Sequence, residues 1–401
     1  MSRTSGFAAD TPDGFKSERL LSLDLFRGLA VAGMVLVTDP GTYSAVYWPL
    51  LHAQWDRPTP TDMIFPAFLF GIGAAIAFSI SSRLRKGASR SAIALQVLRR
   101  SLILCVIGLI VNALPTFNMH MLRLPGVLQR IAVCYLCGAL IYLALRGSGK
   151  QRSEGSLGSR GTITACVAVL LLVVNWLVFR YVPVPEYGAG HLDSLRNVGA
   201  YVDRSIFGIN HMWAYGVTAG YGVTFDPEGV LSTMGALVNL LIGICAGDLL
   251  VGSGTKGRKA TLIAVAGIVL FVVGLSLHPL LPLTKKIWTS SFSLLSSGVS
   301  LVVFAALFFL VDIKKWRGWW WTLLMILGTN AIFAYVLSSV ITTFTDTVVI
   351  GGVKLHRWVY EHLFATWLPP VNASLLYAVV IVLLNVLLVY PLYRRKVFLR
   401  I

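Results

Sequence analysis

Ten stretches of this sequence stay apolar for about 20 residues at a time, the length a helix needs to cross a hydrocarbon core of roughly 30 Å. They lie near 20–38, 62–82, 96–114, 124–145, 161–180, 230–251, 259–278, 288–311, 318–340 and 372–393. Inside a bilayer no water is at hand for backbone amides, so only helices and closed barrels satisfy them. Barrel strands alternate apolar and polar residues over about ten positions, whereas runs such as Ile163 to Phe179 are continuously apolar. The expected fold class is therefore all-α, a polytopic membrane bundle of about ten transmembrane helices. With 56% hydrophobic and 13% charged residues, the chain has too little polar surface to clothe ordinary soluble domains.

Three segments follow: a polar N-terminal stretch 1–19, a membrane domain 20–393 and a basic tail 394–401. The first apolar run carries Asp24 and Arg27 and reads as a retained helix, not a cleaved signal. A Gly/Ser/Arg stretch from Gly147 to Gly161 reads as a flexible linker. Two longer segments, 181–229 and 341–371, are long enough to cap a site. Orientation comes from Lys and Arg, which resist translocation. Arg83, Arg85, Lys86, Lys256, Arg258 and Arg394 to Lys396 fall on one side, which places both termini in the cytoplasm.

The net charge of +17 sits in short loops beside helix ends, where it suits anionic lipid head groups. Membrane lipids are thus expected partners and nucleic acid is not, since no soluble module presents a basic, aromatic-rich stretch. Cys105, Cys134, Cys137, Cys166 and Cys245 all fall within apolar runs and read as small buried residues, without redox chemistry. Every histidine lies on or near the side opposite the basic loops. No HxxxH or HxxE pair accompanies them, so no metal site is expected.

Several polar clusters are too compact to be incidental. Asp24 and Arg27 share a helix face. They read either as an internal ion pair or as part of a donor channel in which Arg27 meets a phosphate. Gln129 and Arg130 follow the helix start at Pro125-Gly126 and must face the bundle interior. Asn330 falls mid-span, as a helix-to-helix hydrogen bond or a channel donor. Asp203, Arg204, His211 and Trp213 share the outer layer, and Asp226 reads as the N-cap of the helix beginning near 230. Lys285 and Lys286 precede a helix start, where cations oppose the dipole, so a bound anion or a carboxylate partner is expected beside them. His52, in Leu51-His52-Ala53-Gln54-Trp55-Asp56, reads either as an interfacial histidine or as a group for proton chemistry near neutral pH. Asp62 either orients that ring or caps the second helix.

Taken in order, Ser22-Leu-Asp24-Leu-Phe-Arg27-Gly28, His52-Ala-Gln-Trp55-Asp56, Thr61-Asp62-Met-Ile-Phe65-Pro66, Leu124-Pro-Gly-Val-Leu-Gln-Arg130, Phe225-Asp-Pro-Glu-Gly229 and Lys286-Ile-Trp288-Thr resemble one family. It is the heparan-α-glucosaminide N-acetyltransferase family of transmembrane acyltransferases, in its compact bacterial form. The resemblance implies transfer of an acetyl group from cytoplasmic acetyl-CoA to an amino sugar of glucosamine type on the periplasmic side of a bacterial inner membrane. It makes His52 the expected catalytic residue, with Asp62 beside it. Asp24, Arg27, Gln129, Arg130 and Asn330 would meet the donor, and Trp55, Asp203, Arg204, His211, Lys286 and Trp288 the acceptor, with Trp55 or Trp288 as a stacking face. Acetyl-CoA is expected as co-substrate, no metal is required, and a homodimer is the oligomeric expectation. Two alternatives stay open: an amino-sugar transporter without chemistry, and O-acylation of an envelope glycan.

The orientation is directly testable. Cysteines introduced at Ser148 and Ala189 should react with an impermeant thiol reagent from opposite sides of the membrane; labelling of both from the periplasm would overturn the assignment.

Overall fold

The structure, a computed structural model, describes residues 20–146 and 159–399. The expected N-terminal stretch 1–19, most of the 147–161 linker and the last two residues of the basic tail lie outside the described residues. Within them the apolar runs form α1 (Leu21–Thr38), α2 (Ile64–Arg85), α3 (Arg90–Ala113), α4 (Val127–Leu145) and α5 (Ser159–Tyr181). The short amphipathic α6 (Val198–Phe207) precedes α7 (Val230–Val251), α8 (Lys256–Ser276) and α9 (Ser290–Phe308). The last group is α10 (Trp321–Thr329), α11 (Ala331–Thr347), the short α12 (Leu355–Val359) and α13 (Pro370–Arg394). Among the described residues nine helices are long and apolar enough to cross a membrane, and the pair α10 and α11 makes a tenth if counted as one span.

Local chemistry sets the ends. Ser89, Asn197, Thr255 and Thr289 cap α3, α6, α8 and α9 by accepting a backbone N–H of the first turn. The start of α1 lacks such a residue and borrows one: Asp312, in the π-helical turn that ends α9, accepts from the Ser22 amide at 3.1 Å. Lys259 closes the far end of α7 by donating to the Leu250 and Gly252 carbonyls. α2 and α7 hold the centre of the bundle, with Phe68, Leu69 and Phe70 on one and Val238, Leu240 and Leu241 on the other fully buried. On α3, by contrast, Leu95, Leu98, Leu102, Val106 and Ile110 form an exposed apolar stripe at helical spacing, the face such a helix turns to hydrocarbon.

The expected single span 318–340 is corrected to two helices, bent by 91° at Asn330. Asn330 leaves the helical region at φ −126° and ψ 44°. Its side chain is held by the tail: Nδ2 donates to the Val397 carbonyl at 3.2 Å and Oδ1 accepts from the Leu399 amide at 2.9 Å. The tail reaches it because the chain turns just beyond α13, where Lys396 has a left-handed φ of 54° and Val397 bonds back to the Leu392 carbonyl. Just before the break, α10 lies on α1 at backbone contact. A Cβ on Gly28 would come within 2.0 Å of the Leu324 carbonyl oxygen, and one on Gly328 within 1.9 Å of that of Asp24. Small residues permit this approach, and α11 departs from it in another direction.

Gly28→Val should therefore lever α10 off α1 and lower stability by roughly 1–3 kcal/mol. The thermal midpoint of the detergent-purified variant is compared with that of Gly257→Ala, whose Cβ would meet nothing within 4 Å. Equal midpoints would show that the close approach carries no weight.

Candidate active site

The loops 39–63, 114–126, 182–229 and 277–289 meet on one face of the bundle, tied by cross-loop bonds. Trp55 Nε1 donates to the Leu192 carbonyl at 2.8 Å, the Leu124 amide to the His211 carbonyl at 2.9 Å, and Asp56 bridges to Thr284. Arg83, Arg146, Lys256 and Arg317 lie at the opposite ends of the helices.

His52 is set by the turn that opens α2. Thr59, Pro60, Thr61 and Asp62 form a reciprocal cap in which the Thr59 amide donates to Asp62 Oδ2 at 2.9 Å. The hydroxyls of Thr59 and Thr61 donate to the Leu51 and Pro49 carbonyls, which fastens the segment before His52 onto the turn. The Ala53 amide also reaches Asp62 Oδ2, at 3.1 Å. The other oxygen faces the histidine: His52 Nδ1 lies 2.9 Å from Asp62 Oδ1. Asp62 thus both caps the helix and meets the ring, one oxygen for each task.

A third group completes the cluster. Lys285 Nζ donates to Asp62 Oδ1 at 3.1 Å and lies 3.0 Å from His52 Nδ1. It is the cation for which a carboxylate partner was expected at the start of α9. Exposure is graded, with the Asp62 side chain 1% exposed, Lys285 18% and His52 49%. The proton arrangement follows from donor counting, because hydrogens are inferred and not seen. Two lone pairs on Oδ1 can accept both the ammonium and an Nδ1–H. The opposite tautomer would set an imidazole lone pair against a carboxylate lone pair at 2.9 Å. With the proton on Nδ1 and shared with Oδ1, Nε2 presents its lone pair from a half-exposed ring.

The turn that brings Lys285 here also corrects the expectation for Trp288. The Trp288 amide bonds back to the Lys285 carbonyl, and Trp288 takes a left-handed φ of 52° that turns its ring inward. There its Nε1 donates to Asn239 Oδ1 at 2.8 Å, and Arg130 stacks on it at 4.8 Å. Only 1% exposed, it has no face to offer a sugar. Trp55 is half-buried, edge-on to Phe225 at 5.0 Å. Lys286 lies over Phe225 and Trp213 at 5.3 and 6.0 Å, so Trp55 and Lys286 do share one aromatic cluster. Burial and the adjacent Lys285 lower the pKa of Lys286.

The remaining expected acceptor residues are engaged in holding loops. Arg204 donates to the Thr224 and Leu195 carbonyls, and His211 Nδ1 bonds the Leu122 carbonyl. Asp203 caps α7 from a distance: its Oδ1 accepts the Val230 amide at 2.8 Å, against Gly229 where no side chain would fit. Asp226, expected as that cap, is drawn off instead by Arg123, which binds both of its oxygens at 2.9 and 2.6 Å and also pairs with Glu228. Burial opposes the charge on Arg123, but Glu228 and Asp226 raise its pKa above the usual guanidinium range. Arg123 escaped the sequence reading, since its partners lie about a hundred residues downstream.

The expected donor residues divide into two groups. Asp24 and Arg27 line a cavity of about 460 Å³ together with Arg83, Arg100 and Tyr135. Its wall on α2 runs from Arg83 to Ile72, about 16 Å of helix, and Asp62 lies about 15 Å further along the same axis. Thr329 and Ala331 also line it, while the Asn330 side chain between them is held by the tail, whose Phe398 and Leu399 form part of the wall. Gln129 and Arg130 belong to the other end, next to Ile131 at the cavity's inner limit. Arg130 Nη2 bonds the Pro227 carbonyl and the Ser232 hydroxyl, while its Nε and Nη1, and both amide atoms of Gln129, are buried without a partner.

Comparison with known proteins fits this geometry. The model of the family described as heparan-alpha-glucosaminide N-acetyltransferase, catalytic, matches residues 19–150, which hold α1 to α4, His52 and Asp62. The chain is 28% identical over 418 residues to the human heparan-alpha-glucosaminide N-acetyltransferase, covering 96% of this chain. It is 29% identical over 438 residues to the mouse protein of the same name, covering all of this chain. It spans 60% and 64% of those relatives' lengths. The resemblance carried by the ordered motifs is borne out.

Asp203 offers a test of the loop electrostatics. Burial lifts its pKa from 3.8 to about 7, so the folded protein holds this proton more tightly than the unfolded chain does. Stability is then lost as pH rises from the unfolded value through about 7. Asp203→Asn keeps an oxygen for the Val230 amide and removes the titration. Its unfolding free energy should match wild type near the unfolded pKa and exceed it above neutrality, by an amount on the order of a few kcal/mol. A constant difference across pH would refute the assignment.

Proposed function

We propose that this protein is a transmembrane acetyltransferase that takes acetyl-CoA from the cytoplasmic face and acetylates an amino sugar of glucosamine type on the periplasmic face of a bacterial inner membrane. The observation that carries the reading is the pairing of His52 with buried Asp62 on one face, opposite an arginine-lined cavity that extends from the other. Arg27, Arg83 and Arg100 suit the phosphates of the donor, and the narrowing apolar depth toward Ile72 and Ile131 suits its pantetheine arm. The Nε2 of Gln129 and the Nε and Nη1 of Arg130 are buried without partners, and donors of this kind would suit a carbonyl oxygen that develops charge.

A thioester is already activated, so the protein must manage one proton and one developing charge. The acceptor nitrogen bonds the acetyl carbon and the carbon–sulfur bond breaks. The amine proton passes by way of His52 Nε2 to the departing sulfur, which leaves as the free thiol. If the acetyl group is first carried on the histidine, Nε2 is again the working atom. The helix break at Asn330 beside the cavity also suits a carrier, and this favours amino-sugar transport as the second reading.

Acetyl transfer by wild type and by His52→Ala separates the two. The ring is half-exposed and contributes little packing, so the variant should keep its thermal midpoint and its CoA binding. Acetyl transfer to glucosamine should fall by roughly 10²–10⁴-fold. Arg83→Ala and Arg100→Ala should instead raise the KM for acetyl-CoA. A folded His52→Ala protein with wild-type turnover would remove the catalytic assignment of His52, whereas a wild-type protein that transfers no acetyl group would leave the carrier.

A further inference from the structure

We propose that Lys285 is a positioning residue that keeps the His52 ring uncharged and its Nε2 lone pair available; the role in transfer rests on the reading of His52 given above. A carboxylate beside an imidazole ordinarily favours its protonated form, and a cation beside it disfavours that form. Here one ammonium does two things at once. At 3.1 Å from Asp62 Oδ1 it takes up the carboxylate charge, and at 3.0 Å from His52 Nδ1 it opposes a second positive charge on the ring. An imidazolium has no lone pair at Nε2 and can neither accept the amine proton nor bond an acetyl carbon.

The placement of the ammonium is built into the fold. The Lys285 carbonyl receives the Trp288 amide at 3.0 Å, Trp288 is anchored through Asn239 and Arg130, and neighbouring Thr284 bridges to Asp56. The lysine thus stands between two fixed points, 223 residues from Asp62 in sequence. Two neighbouring charged groups are engaged elsewhere. Lys286 is turned to Phe225 and Trp213. Glu228, which feels the Lys285 charge, is paired with Arg123.

The test is the carbethoxylation of His52 by diethyl pyrocarbonate, which attacks unprotonated imidazole, followed across pH by peptide mass spectrometry. The full chain in detergent is used, with exposed His362 as internal standard. Lys285→Gln retains an N–H for Asp62 and removes only the charge. Its His52 should reach half-maximal labelling at a higher pH than wild type. Lys285→Arg should restore the wild-type midpoint. An unshifted Lys285→Gln overturns the proposal, as does an equal shift in both variants, which would trace the effect to packing.

Acetyl transfer is measured in parallel. Lys285→Gln should lose kcat below neutrality and regain it as pH rises, with KM for acetyl-CoA unchanged. A labelling shift in a protein that acetylates no amino sugar would sink the transferase reading and leave the charge control standing. Transfer without a shift would do the reverse.

Discussion

The carboxylate of Asp62 is the point on which the His52 face depends. It is almost fully buried at the head of a membrane span, and an ionised carboxylate so placed costs several kcal/mol unless its lone pairs are filled. They are filled from three directions: the Ala53 and Thr59 amides from the preceding loop, the Lys285 ammonium from the loop before α9, and the His52 ring. The same bonds that make the charge tolerable fix the loop, start α2 and aim the imidazole. The turn that delivers Lys285 carries Trp288 into the core, so the cluster is anchored to the α7–α9 packing through Asn239. The ring itself can stay half-exposed because everything behind it is fastened.

Elsewhere on this face, buried charge serves construction. Arg123 gathers Asp226 and Glu228, and Asp203 caps α7 from α6. Each such contact joins segments that are remote in sequence, and together they close the long 182–229 loop over the bundle. In the membrane interior the equivalent work is done by neutral groups, with glycines admitting α10 to α1 and Asn239 satisfied by Trp288 and by Ser293, Ser296 and Ser297.

The spans were legible in the sequence because their length is dictated by bilayer thickness and needs no knowledge of partners. His52 and Asp62 were legible because their polar segment interrupts apolar runs and the ordered motifs give it a context. Lys285 was half legible: a cation at a helix start signals a missing counter-charge, but nothing local says that the counter-charge is Asp62. The break at Asn330 was not legible, since the sequence stays apolar on both sides of it and the cause lies in contacts with α1 and the tail. Trp288 looked like a stacking face because sequence does not reveal the left-handed turn that buries it. Asp203 looked like a ligand-binding residue because its true partner, the Val230 amide, is a backbone group 27 residues away.

The tail clamp on Asn330 bears on the order in which this molecule can be made. Asp24 and Arg27 of α1 emerge from the ribosome early, and α2 to α4 soon supply part of the cavity they line, yet its remaining wall is formed by Thr329, Ala331, Ile332, Phe398 and Leu399. Insertion of the spans can proceed one after another, but that chamber stays open to lipid and water until almost the whole described sequence has been synthesised. Contacts of such long range are slow to form and leave polar groups exposed meanwhile. During biogenesis the early arginines must therefore wait, solvated or shielded by the insertion machinery, for a wall that is translated last.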